Sequence, residues 1–396
     1  MKISNKNLPK IRFPGFIENW EENNVGELVE IIKSYSYSRN EESEYGTVSH
    51  IHYGDIHSKF NNIIDNNSKL PFLKLIEIKD LVLLEKGDII LADASEDYNG
   101  LGTTIVNLSD RKNIIGGLHT FVLRPDKEKL YSLYFLNYSK TLIYKKYMQK
   151  IGTGASVFGI SKANLEKLAL LKPSLKEQQK IGDFFMLLDK RIEQQEQKIA
   201  LLKDYKKAMM QKIFSQEIRF KDQNGNDYPD WEEKKFLNIF FSIPSRAYQI
   251  FKTEIFSNGK IPVVDQGKKK VAGYSNEIKK ICDKTPCIVF GDHTTELKYI
   301  DFPFIIGADG TKILRNHIAN STLFLYYLLL ENNVEQEGYK RHFSILTKKS
   351  FDIPMIKEQE KIASFLSTID FNIEKQEGIL ENLKNQKGVL LHKMFI

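Results

Sequence analysis

Apolar residues recur in a coiled-coil pattern along two stretches of the chain, residues 177–214 and 358–395. In each stretch the apolar positions alternate at spacings of four and three residues, which is typical of the seam of a coiled coil. The two stretches align without a gap at a constant offset of 181 residues, so that Pro173 falls on Pro354. The chain therefore carries an internal duplication, and each copy predicts one long helix.

The seam of each predicted helix is interrupted twice, by Gln195 and Lys206 in the first and by Gln376 and Lys387 in the second. A parallel pairing would place the two lysines against each other inside the seam, where like charges in contact are costly. An antiparallel pairing brings the two glutamines together at the midpoint and lets both lysine heads reach solvent. We therefore predict antiparallel helices. The predicted seam residues are Ile181, Phe185, Leu188, Ile192, Gln195, Ile199, Leu202, Ile362, Leu366, Ile369, Ile373, Gln376, Leu380 and Leu383.

Strand-like runs, followed by a helical run, precede both long helices and predict two globular blocks with the same order of elements. The predicted strands cover 88–92, 103–108 and 120–124 in the first block, and 287–290, 298–301, 304–306 and 312–314 in the second. The predicted helical runs are 129–150 and 321–335.

The duplication is incomplete in the first half of each block. Trp20 and Trp231 stand at matching places, and we expect each of them to anchor an entry turn against its domain. By contrast, residues 35–55 and 244–268 do not align. This pattern predicts a repeated frame that carries two different surfaces.

Together these patterns predict an α+β fold. Two globular domains with small β-sheets are joined by two long antiparallel coiled-coil helices. We expect the domains at 1–175 and 215–356, and the helices at 176–214 and 357–396.

Composition adds a mild preference for an anionic partner. The formal net charge is +7, which is compatible with nucleic acid without requiring it. Two cysteines, Cys282 and Cys287, are too few for a disulfide framework or a four-ligand zinc site. The first six residues lack the apolar core of a signal peptide, and no run of 18 apolar residues exists. We therefore expect a cytoplasmic protein that does not contact a membrane.

Motifs of catalytic chemistry are missing from the sequence. It contains neither a Gly-x-x-x-x-Gly-Lys-Ser/Thr phosphate loop nor the Asn/Asp-Pro-Pro-Tyr/Phe motif of adenine methyltransferases. His50, His52 and His57 have spacings that could suit a metal, but no fourth ligand is evident. We predict no catalytic residue and no metal or cofactor site on this chain.

The motif Pro-x-x-Lys-Glu-Gln-x-Lys-Ile opens both long helices, at 173–181 and 354–362. With this motif and the duplicated order of elements, the whole chain resembles the specificity subunit of a type I restriction–modification enzyme. Residues 86–90 and 261–267 resemble segments of that family's target-recognition domains. One departure is that the stretch 347–354 is shorter than its counterpart 161–173.

The resemblance implies two target-recognition domains, each recognising one half of a split sequence in double-stranded DNA. It implies that the helices space these domains and dock two methyltransferase subunits. It also implies that catalysis lies on partner chains, which would modify adenine with S-adenosylmethionine or, as restriction subunits, cut DNA with ATP and Mg. A helix of 38 residues is ~57 Å long, enough to span the ~34–36 Å of one duplex turn.

Affinity for DNA should come from lysine and arginine against phosphates, and specificity from side chains in the groove. Arginine and glutamine can make bidentate contacts with guanine and adenine, respectively. The predicted DNA-binding residues are Ser38, Arg39, Lys59, Arg111, Lys112, Gly152, Thr153, Gly154 and Ser156 in the first block, and Arg246, Tyr248, Gln266, Lys268, Lys269, Lys270, Lys312, Arg341 and His342 in the second.

Three other functions stay open at this point. The chain could be an enzyme with its own site, a coiled-coil or DNA-binding scaffold unrelated to restriction, or the specificity subunit of another multisubunit restriction class. Unaided methylation or nicking of DNA would favour the enzyme. Binding to DNA that falls steeply with salt would argue against a scaffold that does not contact nucleic acid.

Overall fold

The computed structural model describes residues 8–60, 62–74, 81–317, 320–338 and 340–395. Two compact units divide the chain. The first takes in the chain up to Glu196 and from Ile379 onward, and the second extends from Gln197 to Gly378. Each unit therefore holds one globular block together with part of both long helices.

The first unit contains short helices and small sheets. Its strands are β1 (Glu21–Asn24), β2 (Val29–Ile32), β3 (Glu42–Ser43), β4 (Val48–Ile51), β5 (Ile63–Ile64), β6 (Phe72–Leu73), β7 (Ile89–Ala92), β8 (Ala94–Ser95), β9 (Thr104–Asn107), β10 (Ile114–Gly116), β11 (Thr120–Pro125), β12 (Phe158–Gly159) and β13 (Ala169–Lys172). Its helices are α1 (Tyr53–Ser58), α2 (Ser132–Tyr138), α3 (Leu142–Ile151) and α4 (Lys162–Glu166), and the first long helix is α5 (Leu175–Phe214).

The second unit continues the chain with the same kinds of element. Its strands are β14 (Glu232–Lys235), β15 (Phe240–Ile243), β16 (Ile261–Val264), β17 (Gly273–Ser275), β18 (Cys287–Gly291), β19 (Leu297–Ile300), β20 (Ile305–Ile306), β21 (Thr311–Asn316) and β22 (Ser350–Ile353). Its helices are α6 (Phe236–Ile239), α7 (Thr322–Glu331) and α8 (Phe343–Leu346), and the second long helix is α9 (Ile356–Met394).

The two units share one sheet topology. The larger sheet has the order β2-β11-β7-β9-β5 in the first unit and β15-β21-β18-β19 in the second, so that the first unit adds only the edge strand β5. In the smaller sheet, β4 lies parallel to β10 and antiparallel to β6, just as β16 lies parallel to β20 and antiparallel to β17. The halves that do not align in sequence therefore fold alike, because strand pairing depends on apolar alternation and backbone hydrogen bonds more than on side-chain identity.

The predicted strands are confirmed, and the helical run 321–335 is observed as α7, which ends four residues earlier, at Glu331. Each predicted strand falls on an observed strand whose ends differ by at most two residues. The other helical run needs a correction. The run 129–150 was predicted as one helix, but it is α2 and α3 separated by a turn. Thr141 accepts a hydrogen bond from the backbone N–H of Tyr144 (3.3 Å) and so caps α3. A capping threonine inside an apolar run was the missed signal.

The shared motif at the start of α5 and α9 anchors each helix to its own unit. The carboxylate of Glu177 is buried and accepts two hydrogen bonds of 2.7 Å from Arg12. The carboxylate of Glu358 is likewise buried and accepts hydrogen bonds from Arg219 at 3.2 and 2.9 Å and from the indole of Trp231 at 3.2 Å. Paired, fully hydrogen-bonded carboxylates can be buried at low cost, which explains why both helices open on the same residue.

The pairing of the long helices is antiparallel in each unit, as predicted. In the first unit, Lys387 contacts Asp189, and Lys384 lies 2.6 Å from Glu196. Successive contacts therefore advance along α5 while they move back toward the first residue of α9.

The same reversal occurs in the second unit. There, Lys203 lies 2.6 Å from Glu377 and Lys206 lies 2.6 Å from Asp370. These ion pairs correct the prediction that Lys206 and Lys387 reach solvent. Each lysine is instead largely covered and bound to an aspartate of the opposing helix, because the duplicated Asp189 and Asp370 face them in the antiparallel register.

The predicted seam residues are buried or half-buried. Those that are buried are Ile181, Phe185, Ile199, Ile362, Leu366, Ile369, Ile373 and Leu383. Leu188, Ile192, Gln195, Leu202, Gln376 and Leu380 are half-buried. Gln195 belongs to the first unit and Gln376 to the second, and their meeting stays a prediction.

Each hydrophobic core combines a block with the ends of both long helices. In the first unit, Trp20 is buried and packs edge-on against Tyr134 at 6.0 Å and against Phe395 at 6.5 Å. In the second unit, Trp231 packs against Phe324 at 6.2 Å. Both tryptophans therefore lie where a matching entry turn would place them.

No helix among the described residues combines the length and apolar character needed to cross a lipid bilayer.

Candidate nucleic-acid interface

Loops from the larger and the smaller sheet of the first unit meet at one end of β4 and β7. The backbone N–H of Gly117 donates to the carbonyl of Ile51, the last residue of β4, at 3.0 Å. The N–H of Asp93, directly after β7, donates to the carbonyl of His119 at 3.1 Å. The turn between β10 and β11 is thereby fixed against the ends of two other strands, and the side chains of all three segments come together.

These side chains form an aromatic and imidazole group, which we call the Tyr53 cluster. The ring of Tyr53 lies 4.6 Å from that of His52, 6.2 Å from that of His57 and 5.4 Å, edge-on, from that of His119. The Nδ1 atom of His119 lies 3.2 Å from an Asp93 carboxylate oxygen. Burial raises the pKa of Asp93, and the nearby His119 opposes that rise.

A glutamine occupies the corresponding place in the second unit, in a group that we call the Gln266 cluster. The Gln266 side-chain amide donates to the carbonyl of Asp309 at 3.0 Å and accepts from the backbone N–H of His293 at 3.3 Å. The Thr294 hydroxyl donates to the Gln266 carbonyl at 2.5 Å. The His293 Nδ1 atom lies 3.1 Å from the carbonyl of Lys340. The predicted Gln266 therefore joins the ends of β16 and β18 to the turn before β21.

Among the predicted DNA-binding residues of the first unit, Arg39 and Lys59 lie together. Both contact the fully buried carboxylate of Asp55, at 3.1 and 2.9 Å. Burial alone would raise the pKa of Asp55, but the hydrogen bond and charge of Lys59, with those of Arg39, lower it. The neighbouring Ser38 forms a capping box with Glu41. One buried anion thus partly offsets two surface cations.

The predicted Arg111 has a structural contact that the sequence did not indicate. Its guanidinium donates to the backbone carbonyls of Asn66 at 2.7 Å and Ser68 at 2.5 Å, and so closes a loop. Arg111 lines one groove with Lys59 and a second groove with Lys112, which is exposed. The three predicted cations therefore border adjoining grooves.

The predicted glycine loop of the first unit is an exposed turn beside the Tyr53 cluster. Thr153 and Gly159 exchange backbone hydrogen bonds of 3.1 and 2.8 Å that close it. Gly154 has φ +144°, and a β-carbon there would lie 1.9 Å from the Val157 carbonyl, so only glycine fits. β12 follows the turn and pairs with β8, which begins directly after Asp93. Thr153, Gly154 and Ser156 are exposed, and Gly152 is half-buried.

Most of the predicted cations of the second unit are exposed. Lys268 and Lys270 line a groove of about 450 Å³, and Lys270 also lies 5.5 Å from the centre of the Phe302 ring. Lys312 lies 3.9 Å from Asp292. Lys269, Arg246 and Arg341 are exposed, and Tyr248 is half-buried against a core formed by residues of the larger and the smaller sheet.

His342 does not lie where the predicted DNA contact requires it. It is fully buried, its Nδ1 atom lies 3.0 Å from the Asp292 carbonyl, and its Nε2 atom accepts from the backbone N–H of Glu337 at 3.0 Å. Both ring nitrogens are therefore used inside the protein. The prediction for His342 is therefore wrong, and this residue instead holds the loop before α8. The charged run Lys340-Arg341-His342 does not reveal which of its side chains turns inward.

The predicted site residues do not include Tyr53, Asp93, His119 or His293. A signal existed for Tyr53. The third residue after both β4 and β16 is a glycine, and the residue before that glycine is Tyr53 in the first unit and the predicted Gln266 in the second. No group of three or more histidine, cysteine or acidic side chains within the described ranges could hold a metal ion.

One topology used twice, with different side chains at the meeting loops, defines a protein that presents two unlike loop surfaces. The model of the type I restriction modification DNA specificity domain matches residues 17–204 and 228–385. The chain therefore belongs to this family and carries two copies of its domain.

Similarity to individual proteins agrees with this assignment. The type I restriction enzyme MjaVIII specificity subunit of Methanocaldococcus jannaschii is 24% identical over 432 residues, which cover 98% of this chain and 94% of that protein. The EcoR124I/EcoR124II specificity subunit of Escherichia coli is 34% identical over 130 residues, which cover 31% of this chain and 32% of that protein. The crystal structure of the S subunit of a type I restriction–modification system from M. genitalium has the same fold, with a TM-score of 0.64 and 15% identity over 98% of this chain and 99% of that one.

Proposed function

We propose that this chain recognises a split sequence in double-stranded DNA, with one half-site bound by each domain. The observation that carries the proposal is the contrast between the Tyr53 and Gln266 clusters. They occupy the same place in one repeated topology, but Tyr53 stands where the second unit has Gln266, and His119 stands where it has Gly310. Two copies of one frame with unlike loops suit two unlike half-sites.

In this proposal the exposed lysines and arginines neutralise phosphates and the loop clusters contact base edges. The cations are those beside the clusters, including Arg39 and Lys59 in the first unit and Lys268, Lys269 and Arg341 in the second. The formal net charge of +7 gives the chain the sign that such an interface needs. Phosphate contacts would set the register of each domain on the duplex.

We further propose that the bond-making and bond-breaking chemistry lies on partner subunits. Methyltransferase subunits would modify adenine with S-adenosylmethionine, and restriction subunits would cut DNA with ATP and Mg. Because the chain is duplicated, it offers one partner surface twice, which favours two methyltransferase subunits. Within this scheme the chain contributes specificity and position, and no catalytic group.

Sequencing of modified adenines in cells with and without the gene tests this proposal. We expect a split methylated motif that disappears when the gene is deleted and returns when it is supplied again. A motif that persists without the gene would contradict the proposal. A contiguous motif would contradict the assignment of one half-site to each domain.

Binding measurements on the purified complex provide a second test. The logarithm of the binding constant should fall linearly with the logarithm of the salt concentration, with a slope that counts the neutralised phosphates. Lys268→Ala with Lys269→Ala should reduce the slope by about two and leave the recognised sequence unchanged. A change in the recognised sequence would assign these lysines to base contacts instead.

A further inference from the structure

His119 adopts a backbone conformation that its side chain disfavours. Its φ is +54°, in the left-handed region where a β-carbon crowds the backbone. It lies in the turn between β10 and β11, and its carbonyl accepts from the N–H of Asp93 at 3.1 Å. Residues other than glycine seldom adopt such a conformation, and those that do cluster at functional sites.

The corresponding turn of the second unit has a glycine at this position, which adopts the left-handed conformation without strain. Gly310 also has a left-handed φ, of +75°, and its carbonyl accepts from the N–H of Asp292 at 2.7 Å. Asp292 follows β18 as Asp93 follows β7, and β18 and β7 are equivalent strands. The fold therefore requires a left-handed residue here, and glycine meets that requirement. The first unit keeps a histidine against this backbone preference.

An imidazole occupies this place in the second unit as well, although it comes from another strand. A β-carbon built on Gly310 would lie 2.8 Å from the Cδ2 atom of His293, so the His293 ring fills the space beside the turn. His293 follows Asp292 at the end of β18. Both units therefore place an imidazole at the meeting point of their loops, from two unrelated positions of the chain.

The ring of His119 is oriented and accessible. Its Nδ1 atom lies 3.2 Å from a carboxylate oxygen of Asp93, and Nδ1 donates to that oxygen when it carries the ring hydrogen. Tyr53 packs edge-on against the ring at 5.4 Å. The His119 side chain nevertheless remains 51% exposed. The hydrogen bond at Nδ1 fixes the tautomer of the neutral ring, and the tautomer determines whether Nε2 donates or accepts a hydrogen bond.

We propose that His119 is a specificity-determining residue of the first domain, and that its Nε2 atom contacts the edge of one base in the first half-site. With Nδ1 protonated, the neutral ring presents Nε2 as an acceptor, which suits the exocyclic amino group of adenine or cytosine in the major groove. Asp93 and Tyr53 are positioning residues that hold the ring. This inference rests on the proposed function.

The test uses His119→Gly and His119→Asn in the complete methyltransferase complex. Glycine reproduces the residue of the second unit, and asparagine tolerates a left-handed backbone. Methylated motifs are determined by sequencing, and thermal unfolding is measured alongside. Discrimination at one position of one half-site should fall about tenfold or more, as expected for loss of a base contact. The melting temperature should stay the same or rise.

Gln216→Gly is the matched control. Gln216 is also a non-glycine residue with left-handed φ, of +63°, but it is exposed in the turn that follows α5. This substitution relieves the same kind of backbone strain at a residue that is not part of the Tyr53 cluster. It should leave both half-sites unchanged.

The other outcomes would overturn the inference. These are an unchanged motif in both His119 variants, a change confined to the other half-site, loss of methylation at every site by a folded protein, or unfolding of both variants. A wild-type motif that does not depend on the gene would instead contradict the proposed function, so the two failures are distinguishable.

Discussion

Single glutamines hold the start of each long helix to its own unit. The Gln178 side chain accepts from the N–H of Tyr131 at 2.9 Å and donates to the carbonyls of Lys129 and Pro173 at 3.0 and 2.9 Å. In the second unit, Gln359 accepts from the N–H of Ser321 and donates to the carbonyl of Pro354 and to the side-chain oxygen of Asn320. Each amide is buried, and both its donors and its acceptor are used.

Gln178→Glu should therefore destabilise the first unit. An ionised carboxylate cannot donate, so the carbonyls of Lys129 and Pro173 would lose their partner next to a buried charge. We expect a loss of about 2–4 kcal/mol in the free energy of unfolding, measured by urea denaturation. Gln179→Glu, at an exposed neighbouring position, is the control. Equal losses in the two variants would contradict the assigned role of the buried amide.

A half-buried lysine should make the stability of the first unit depend on pH. The Lys140 Nζ atom lies 3.3 Å from the Asp189 carboxylate, which also accepts from Lys387. Burial, followed by the positive charge of Lys387, lowers the pKa of Lys140 to about 8. An unfolded lysine keeps its proton up to a pKa of about 10.4. Between these two values the unfolded state binds more protons, so stability rises with pH.

Lys140→Met removes this dependence. The variant should be more stable than the wild type at pH 7, where the folded wild type buries the lysine charge, and Asp189 still has Lys387 as its partner. The difference should shrink between pH 8 and 10 as the folded wild type releases its proton. Thermal unfolding from pH 7 to 10 measures it, with Lys145→Met, an exposed lysine of α3, as the control. A difference that is constant over this range would contradict the assignment.

At the scale of elements, the interruptions of the apolar seam fix how the long helices pair. In the second unit, the Asp370 carboxylate accepts from Lys206 at 2.6 Å and from the Tyr327 hydroxyl at 2.7 Å. In the first unit, Asp189 similarly accepts from Lys387. In the antiparallel register each lysine faces an aspartate of the other helix. In any other register the lysine would lose this partner, so the charges specify how the helices pair.

Removing one member of this network should cost more than removing all of it. Asp370→Leu leaves Lys206 and Tyr327 covered without their acceptor, and we expect a loss of about 3 kcal/mol or more in the stability of the second unit. Adding Lys206→Met and Tyr327→Phe removes both orphaned groups and should recover most of that loss. Chemical denaturation of the single and triple variants measures the difference. A triple variant less stable than the single one would show that the polar network itself is a major source of stability.

The sequence predicted the elements better than the contacts among them. The long helices were found because the apolar period persists over many turns and occurs twice, which local noise does not imitate. The polar seam positions were found too, but not their partners, because the facing aspartates lie on the other helix. Lys206 and Asp370 are 164 residues apart, and only the antiparallel register brings them together.

The candidate site was harder to predict because it is assembled from loops. Cations were selected by type, and Arg111 and His342 proved to hold the protein's own backbone. His119 carried no sequence signal, since its left-handed conformation is visible only in the structure. Charge identifies a surface that could bind DNA, whereas a base contact depends on orientation, which tertiary structure supplies.

At the scale of the whole molecule, two independent recognition domains should be exchangeable. Replacing residues 20–150 with the equivalent segment of a family member that recognises another sequence should change one half-site of the methylated motif and preserve the other. The physical reason is that the Tyr53 cluster is built from residues of the first unit alone. Sequencing of modified adenines tests it, with exchange of residues 232–346 as the reciprocal experiment. A change in both half-sites would contradict independent recognition.

The two long helices should also determine the distance between half-sites. Each of α5 and α9 runs without interruption from one unit into the other, so lengthening both by one heptad preserves the apolar seam. Insertion between Glu196 and Gln197 and between Gly378 and Ile379 leaves the ion pairs within each unit intact. A heptad adds about 10 Å, equivalent to about three base pairs. We expect unchanged half-sites separated by a longer tolerated spacer, measured from the methylated motif.

An insertion into α5 alone is the control and should destabilise the protein, because it shifts the seam of one helix against the other. If the double insertion folds and methylates with the original spacer, the helices do not set that distance.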